Sequence, residues 1–409
     1  MDIFEKIQTA RGRAEASSLL NAFSLELFDE AARLAVNINS SLPLYGTLCS
    51  VKDLFQLATH PTKAGTRANL PDIGAEGPAL KALRAAGALF IGKVNTHELA
   101  LGLTGENQWT GDVLNPVDPA RQSGGSSSGS AVSVATGACD FSIGTDTAGS
   151  IRVPASYCGV IAFKPTYGAV SLAGVVPLVP SCDHIGVIAR DVSLIKRVAA
   201  VLGIAPSSDN SGKRPVYGIP RDYLKDQLTA GVEREFFRFC EKYLPDSRDV
   251  SLSDPLPCID AYTKLRRESF MFHRQEIEAH PERFSPVVLD LLKAGNVSES
   301  EYIEARAWQK AHTREIEDIF SRCDALVLPT TPSVAPPIAE RHIELPTGKA
   351  ALRNSVMRLT LPFSMSGVPA VSLPLLRVDG LPVGVQIVTR RHCDWDLLKY
   401  AEEILTCNY

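Results

Sequence analysis

Ser150 sits in the run GTDTAGSIR, directly after an apolar stretch at 141–144 that the sequence predicts as a strand. The small residues Thr147, Ala148 and Gly149 let successive backbone N–H groups turn toward one point. Such a nest beside a hydroxyl can act as an oxyanion hole for acyl transfer. Ser126 stands at the head of SSSGSAVSVATG, which reads as the start of a helix; capping that helix is the alternative use of its hydroxyl. A serine is a weak nucleophile until a base takes its proton. The eight histidines (60, 97, 184, 273, 280, 312, 342 and 392) carry no signature of a catalytic base and read as surface or structural side chains. A lysine can serve instead where burial lowers its pKa enough to leave neutral amine. Lys52, in LCSVKDLF, follows an apolar strand and is placed to point inward.

Three other patterns compete for these residues. Gly125-Ser126-Ser127-Ser128-Gly129 satisfies GxSxG, but a nucleophile elbow needs a strand immediately before it. Here LNPVDPARQS, a proline-containing loop, precedes the motif. The same glycine-rich run lacks the lysine of a phosphate loop. Cys158 has no basic partner near it in sequence and reads as a buried thiol.

The elements that must hold these groups alternate between strand and helix. Strands are expected at 44–51, 88–92, 141–143, 216–219 and 325–328, with a hairpin at 370–376 and 382–388 turning on Asp379-Gly380. Helices are expected at 17–36, 76–87, 95–102, 192–202, 231–242 and 394–405, plus a helical stretch at 260–322 broken at His280-Pro281, Ser285-Pro286 and Gly295. This alternation indicates a mostly parallel or mixed sheet covered on both faces. The segment 121–159 is rich in Ser and Gly and almost uncharged. Gly/Ser runs are often flexible linkers, but the apolar residues at 131–138 and 141–143 require burial. A buried segment of this kind spends its hydroxyls on hydrogen bonds and its glycines on close backbone approach, which suits a site.

Composition excludes several classes of function. The 409 residues are 45% hydrophobic and 22% charged, ordinary globular values. Forty-two basic against 46 acidic residues leave a net charge of −4, so the basic excess of a nucleic-acid binder is missing. No apolar run reaches transmembrane length, and the charged N-terminus has no signal-peptide core. Nine cysteines without a CxxC pair argue against a disulfide framework or a zinc site. A soluble, cytoplasmic protein is expected, and length alone suggests two or three domains.

GGSSSGSAVSVATG followed by GTDTAGSIRVPASYCGVIAFKPTYG resembles the signature of the amidase signature family. The similarity extends to PLYGTLCSVKDLF, LRAAGALFIGKVNTHELALG, DALVLPTTPSVAPP and LPFSMSGVPAVSLP, and covers most of the chain from about 20 to 405. It implies a single α/β/α domain over 1–409 around a mixed, mostly parallel sheet of about eleven strands. The signature core would span about 50–190 and a variable pocket region about 200–365. The implied catalytic residues are Ser150 as nucleophile, Ser126 after a cis peptide bond as proton relay, and neutral Lys52 as base. The N–H groups of Thr147, Ala148, Gly149 and Ser150 would form the oxyanion hole. Ser123 stands where the family often has proline. No metal or organic cofactor is implied.

The resemblance implies hydrolysis of a small-molecule amide to a carboxylate and ammonia or an amine. The run DFSIGTDTAGSIRVPASYCG (140–159) is similar to hydrolases of arylacetamides such as indole-3-acetamide. The C-terminal third is similar to amidases of urea-derived amides, including carboxybiuret hydrolases. An alternative is the glutamine-hydrolysing A subunit of a tRNA-dependent amidotransferase. Neither nucleic acid nor membrane is an expected partner, whereas a homodimer or a small partner subunit is compatible with the family. Residues 104–109, the segment after Val175, 265–275 and 330–366 are the expected pocket lining. Trp109, Tyr157 and Phe363 could form its apolar mouth, and Arg266, Arg267 and His273 could meet a polar substrate.

Overall fold

The computed structural model describes residues 2–206, 215–254 and 256–407. Residues 207–214, inside the expected 200–365 pocket region, lie outside the described residues. In chain order the strands are β1 (Phe23–Glu26), β2 (Leu48–Lys52), β3 (Leu89–Val94), β4 (Phe141–Asp146), β5 (Ile161–Lys164), β6 (His184–Ala189) and β7 (Tyr217–Ile219). Then follow β8 (Arg248–Asp249), β9 (Ala325–Pro329), β10 (His342–Leu345), β11 (Gly348–Ala351), β12 (Ala370–Val378) and β13 (Leu381–Thr389). Among the described residues, eleven of them form one sheet in the order β1-β3-β2-β4-β6-β5-β12-β13-β9-β7-β8. β10 and β11 pair separately.

The sheet is mixed, as expected, but it is not mostly parallel. Parallel pairing is confined to β3-β2-β4 and to β9-β7-β8. From β4 through β6, β5, β12 and β13 to β9 every pairing is antiparallel. The reason lies in the connections. The Asp379-Gly380 turn, with φ of +52° and +80°, closes β12 directly onto β13 as a hairpin, and a hairpin joins antiparallel strands only. β2, β3 and β4 are buried at every residue, which fits their near-continuous apolar sequence and cover on both faces.

Two expected helices are largely absent. The 17–36 stretch is a short 3-10 turn, then β1, then a helix at Phe28–Ala35. Asn21 adopts a left-handed φ of 54° that ends the helical path, and Leu25 pairs with Lys93 across the sheet edge. The 95–102 stretch is only a 3-10 turn at Glu98–Ala100, with Leu99 and Ala100 at φ +49° and +60°. The remaining expected helices form. Asp191 caps Val192–Val201 through the Leu194 N–H at 3.0 Å, an interaction worth about 1 kcal/mol. A Ser298/Glu301 capping box opens the long helix Glu299–Ile319.

Three helices bear on the site. Ser128–Ala135 packs against β4, and Arg152–Cys158 against β12 and β13. Leu352–Met365 is buried along most of its length. The Ser/Gly segment is no linker. Ser50, Ser133 and Ser142 join hydroxyls at 2.8–2.9 Å inside the core. At Gly129 a Cβ would lie 2.4 Å from the Ala22 carbonyl and 2.7 Å from that of Asn95, so only glycine fits there.

Candidate active site

The parallel register sets Val51 beside Ile143, so β2 and β4 end at the same edge of the sheet. That edge, the carboxyl end of parallel strands, is where open α/β sheets place their sites. Lys52 is the last residue of β2 and is fully buried. Its Nζ donates to Ser126 Oγ and to Thr145 Oγ1, both at 2.8 Å. Burial is the dominant influence on the amine and lowers its pKa from 10.5 to about 7, against an opposing pull from Asp146 and Asp183. Lys164 offers a comparison: burial brings it to about 7 as well. Its Nζ, however, donates to the Val368 and Pro165 carbonyls at 2.6 and 3.2 Å. Two buried lysines are therefore poised near neutrality, and the one that meets a serine is Lys52.

The Gly125–Ser126 peptide bond is cis. The Ser126 carbonyl accepts from the His97 N–H at 3.1 Å and the Thr96 hydroxyl at 2.9 Å. The helix whose capping was the alternative use of Ser126 starts at Ser128, with Ser127 at the cap and no side-chain capping bond. The Ser126 hydroxyl faces the lysine instead. Ser127 joins the two serine segments: its N–H donates to the Ser150 carbonyl at 3.0 Å and its hydroxyl to the Thr145 carbonyl at 3.1 Å.

Ser150 is nearly buried and hydrogen-bonds through its hydroxyl to no described residue. The loop before it is fixed at each step. Thr147 Oγ1 donates to Asp183 Oδ1 at 2.6 Å, and Asp183 also accepts from the Leu178 and Val179 N–H groups. Thr360 Oγ1 donates to the Ala148 carbonyl at 2.6 Å. Gly149, at φ +120°, donates its N–H to Asp146 Oδ1 at 2.8 Å. The Gly149 amide, expected in the oxyanion set, is thus already engaged by a carboxylate. The N–H groups of Thr147, Ala148 and Ser150 donate to no acceptor among the described residues.

Behind the loop lies a fully buried ion pair between Arg152 and Asp146, with N···O distances of 2.9 and 3.0 Å. Burial pushes the Asp146 carboxyl up, but the Arg152 guanidinium outweighs it and holds the group well below the carboxylate range. Arg152 also donates to Gln386, to the Thr360 carbonyl and to Ser364. Neither Asp146 nor Arg152 stood out in sequence, although they flank Ser150 closely in GTDTAGSIR.

Ser150, Thr147 and Ala148 line a narrow pocket together with Tyr262, Arg353 and Met357. Leu101, Gly102, Leu103 and Arg353 also line an adjoining cavity of about 510 Å³. Thr104, Glu106, Asn107, Gln108 and Tyr157 reach that cavity, as expected for 104–109 and for Tyr157. Leu178, from the segment after Val175, lines the Ser150 pocket. Trp109 instead lines a neighbouring groove and lies under the Arg67 guanidinium. Phe363 is core, with no exposed surface. Arg266 donates to the Leu291 carbonyl, Arg267 pairs with Glu299, and His273 is buried against Phe272 and Phe284; none of the three lines either pocket.

Arg353 and Tyr262 were not singled out in sequence. The signal available was a cation on one helical face, with Val356 and Met357 at i+3 and i+4. The thiol alternative does not survive: Cys158 is buried, its Sγ contacts the Ser123 carbonyl at 3.3 Å, and burial drives its pKa far up. Among the described residues eight cysteines are free, and all but Cys393 are buried.

The model of the family described as Amidase matches residues 5–243 and 263–398. The chain belongs to this family. Its sheet and helices are those of an amidase: a solved structure described as a crystal structure of amidase superposes with a TM-score of 0.95 at 39% identity, covering 100% of this chain and 97% of the other. A 1-carboxybiuret hydrolase subunit of Pseudomonas sp. (strain ADP) is 32% identical, over 95% of this chain and 90% of the relative. The A subunit of a glutamyl-tRNA(Gln) amidotransferase from Anaeromyxobacter dehalogenans (strain 2CP-C) is 33% identical, over 88% of this chain and 82% of the relative. This amidase holds, among its described residues, no group of three or more His, Cys, Asp or Glu able to bind a metal ion. None of its described helices is long and apolar enough to cross a membrane.

Proposed function

We propose that this chain hydrolyses the carbon–nitrogen bond of a small amide through an acyl-enzyme on Ser150. The observation that carries the reading is the buried Lys52 amine, brought to about 7 by desolvation and donating at 2.8 Å to the hydroxyl of Ser126. Ser150 Oγ attacks the amide carbonyl. Its proton passes to Ser126 Oγ as the Ser126 proton passes to neutral Lys52. Free enzymes commonly hold such contacts loosely and tighten them with substrate, which suits the open hydroxyl of Ser150. The amides of Thr147, Ala148 and Ser150 stabilise the oxyanion. The proton held by Lys52 then returns through Ser126 to the departing nitrogen, which leaves as ammonia or an amine. Water attacks the ester by the same relay in reverse and releases the carboxylate.

An arylacetamide and a urea-derived amide are the two substrate types, the second favoured by the carboxybiuret hydrolase relative. A glutamine-hydrolysing subunit is the second reading, favoured by the amidotransferase relative at 33% identity. The test is ammonia release by the purified chain over an arylacetamide, short aliphatic amides, a urea-type amide and glutamine. Release from one class, abolished in Ser150→Ala with folding intact, is the expected result. Release from glutamine alone, raised by a copurifying partner, favours the second reading. Near-wild-type turnover by Ser150→Ala overturns the mechanism.

A further inference from the structure

The narrow pocket at Ser150 contains a cation for which the described residues supply no counter-ion. Arg353 lies on the buried helix Leu352–Met365 and lines both that pocket and the adjoining cavity. Among the described residues it forms neither a hydrogen bond nor an ion pair. The cavity does contain carboxylates, but each is engaged elsewhere. Glu98 accepts from the Thr66 hydroxyl and the Ser285 N–H. Glu106 pairs with Arg341 at 2.6 Å and accepts from Thr104. Asp112 accepts from the Asn107 N–H at 3.0 Å.

The groups that do face Arg353 add no negative charge near neutral pH. Tyr262 shares the Ser150 pocket, its hydroxyl pushed up to about 12 by burial and hydrogen-bonded to no described residue. His97, lowered to about 4 by burial and by Arg353 itself, is neutral. Arg266 is a second cation close enough to be perturbed by Arg353. A partly buried guanidinium left without a partner is costly, whereas Arg152 pairs with Asp146 and Arg266 donates to the Leu291 carbonyl. The planar fork of Arg353 matches a carboxylate in two-point contact.

We infer that the substrate is a small amide that also carries a carboxylate, which Arg353, with the Tyr262 hydroxyl beside it, binds while the amide carbonyl lies at Ser150. Arg353 is the specificity-determining residue of this amidase. The inference rests on the acyl-enzyme reading above and goes beyond it by naming the charge of the substrate. It also orders the candidates: neutral arylacetamides become poor substrates, and half-acid amides of short dicarboxylic acids or carboxylated ureas become good ones.

The test uses matched pairs, each a neutral diamide and its half-acid amide: malonamide with malonamate, succinamide with succinamate, glutaramide with glutaramate. Wild-type enzyme should favour at least one half-acid over its diamide by about 100-fold in kcat/KM, the scale of one charge-assisted contact. In Arg353→Gln that ratio should collapse toward one, with Arg353→Lys in between. A ratio near or below one in wild type for every pair that is turned over, or a ratio unchanged in Arg353→Gln, overturns the inference.

A second arm needs no turnover. Malonate, succinate or glutarate should raise the Tm of wild type and of Ser150→Ala, but not of Arg353→Gln. Absence of any shift in wild type overturns the inference even where none of the test amides reacts. Retained turnover in Ser150→Ala alongside an intact dicarboxylate shift would instead remove the acyl-enzyme reading and leave the anion site standing.

Discussion

Under the proposed relay, the pH dependence of acylation follows from Lys52. At pH 7.5 a lysine with a pKa of 10.5 is neutral about one part in a thousand, while one at about 7 is neutral in about three quarters of molecules. Desolvation at the end of β2 therefore raises the fraction of usable base several hundred-fold. Only the neutral amine can take the Ser126 proton, so activity is lost as pH falls through the folded-state pKa. The expected profile of kcat/KM is a single acid limb centred near 7, dropping about tenfold per pH unit below it. Lys52→Ala removes the base and should lower the plateau by about 10²- to 10⁴-fold, flattening the limb. Lys52→Arg should be no better, because a guanidinium does not give up its proton. The assay is ammonia release from the best amide between pH about 5.5 and 9.5, spanning the limb on both sides, run beside the rate of Ser150 labelling by a fluorophosphonate. The second readout reports nucleophile activation without depending on the substrate. An acid limb of unchanged midpoint in Lys52→Ala, or labelling of wild type that is flat across pH 7, would refute the assignment of the base.

Three further perturbations are informative. Lys52 binds fewer protons folded than unfolded between pH about 7 and 10.5, so its burial weakens the fold most below pH 7 and the deficit closes as pH rises. Lys52→Met should therefore be inactive yet gain stability relative to wild type at pH about 6.5, up to about 5 kcal/mol, and lose that advantage by pH about 10; urea unfolding at both values checks it. Asp146→Asn leaves Arg152 without its full charge partner in a completely buried site, and should cost about 3–5 kcal/mol by urea unfolding as well as most activity. A cost below about 1 kcal/mol would show that Gln386, Ser364 and the Thr360 carbonyl suffice. Gly149→Ala sets a Cβ 2.6 Å from Thr360 Oγ1 at φ +120°; the strain is about 1–3 kcal/mol, and kcat should fall more than Tm, since the displaced loop carries Ala148 and Ser150.

Local context drew attention to Lys52, Ser126 and Ser150 (an apolar strand end, a Ser/Gly run too apolar to be a linker, and a small-residue turn), while their proposed roles came from the family resemblance. The sheet strands were legible for the same reason, as short apolar runs. What was not legible depends on approach between distant segments. β1 looked helical from its spacing, and only its pairing with Lys93 and Gly92 makes it a strand. The parallel content was overstated because strand alternation says nothing of the order in which strands pair. Gly149 qualified as an oxyanion donor by position, but its N–H is claimed by Asp146, three residues back. Arg353 lies 203 residues after Ser150, and its exposure to the same pocket emerges only once the helix Leu352–Met365 is seated.

The Arg152–Asp146 pair also sets the order in which a working site can come into being. The Ser150 loop lies at 147–150, but what braces it comes much later in the chain: Thr360 against Ala148, Thr360 and Ser364 against Arg152, and Gln386 from β13. On a ribosome, residues 1–150 emerge with every proposed catalytic group already made and nothing to hold them. The site becomes rigid only when β13 has left the exit tunnel and paired between β12 and β9. Until then Arg152 and Asp146 remain in water. The proposed acyl transfer thereby waits on β13, and damage between Thr360 and Gln386 disarms a serine more than 200 positions upstream.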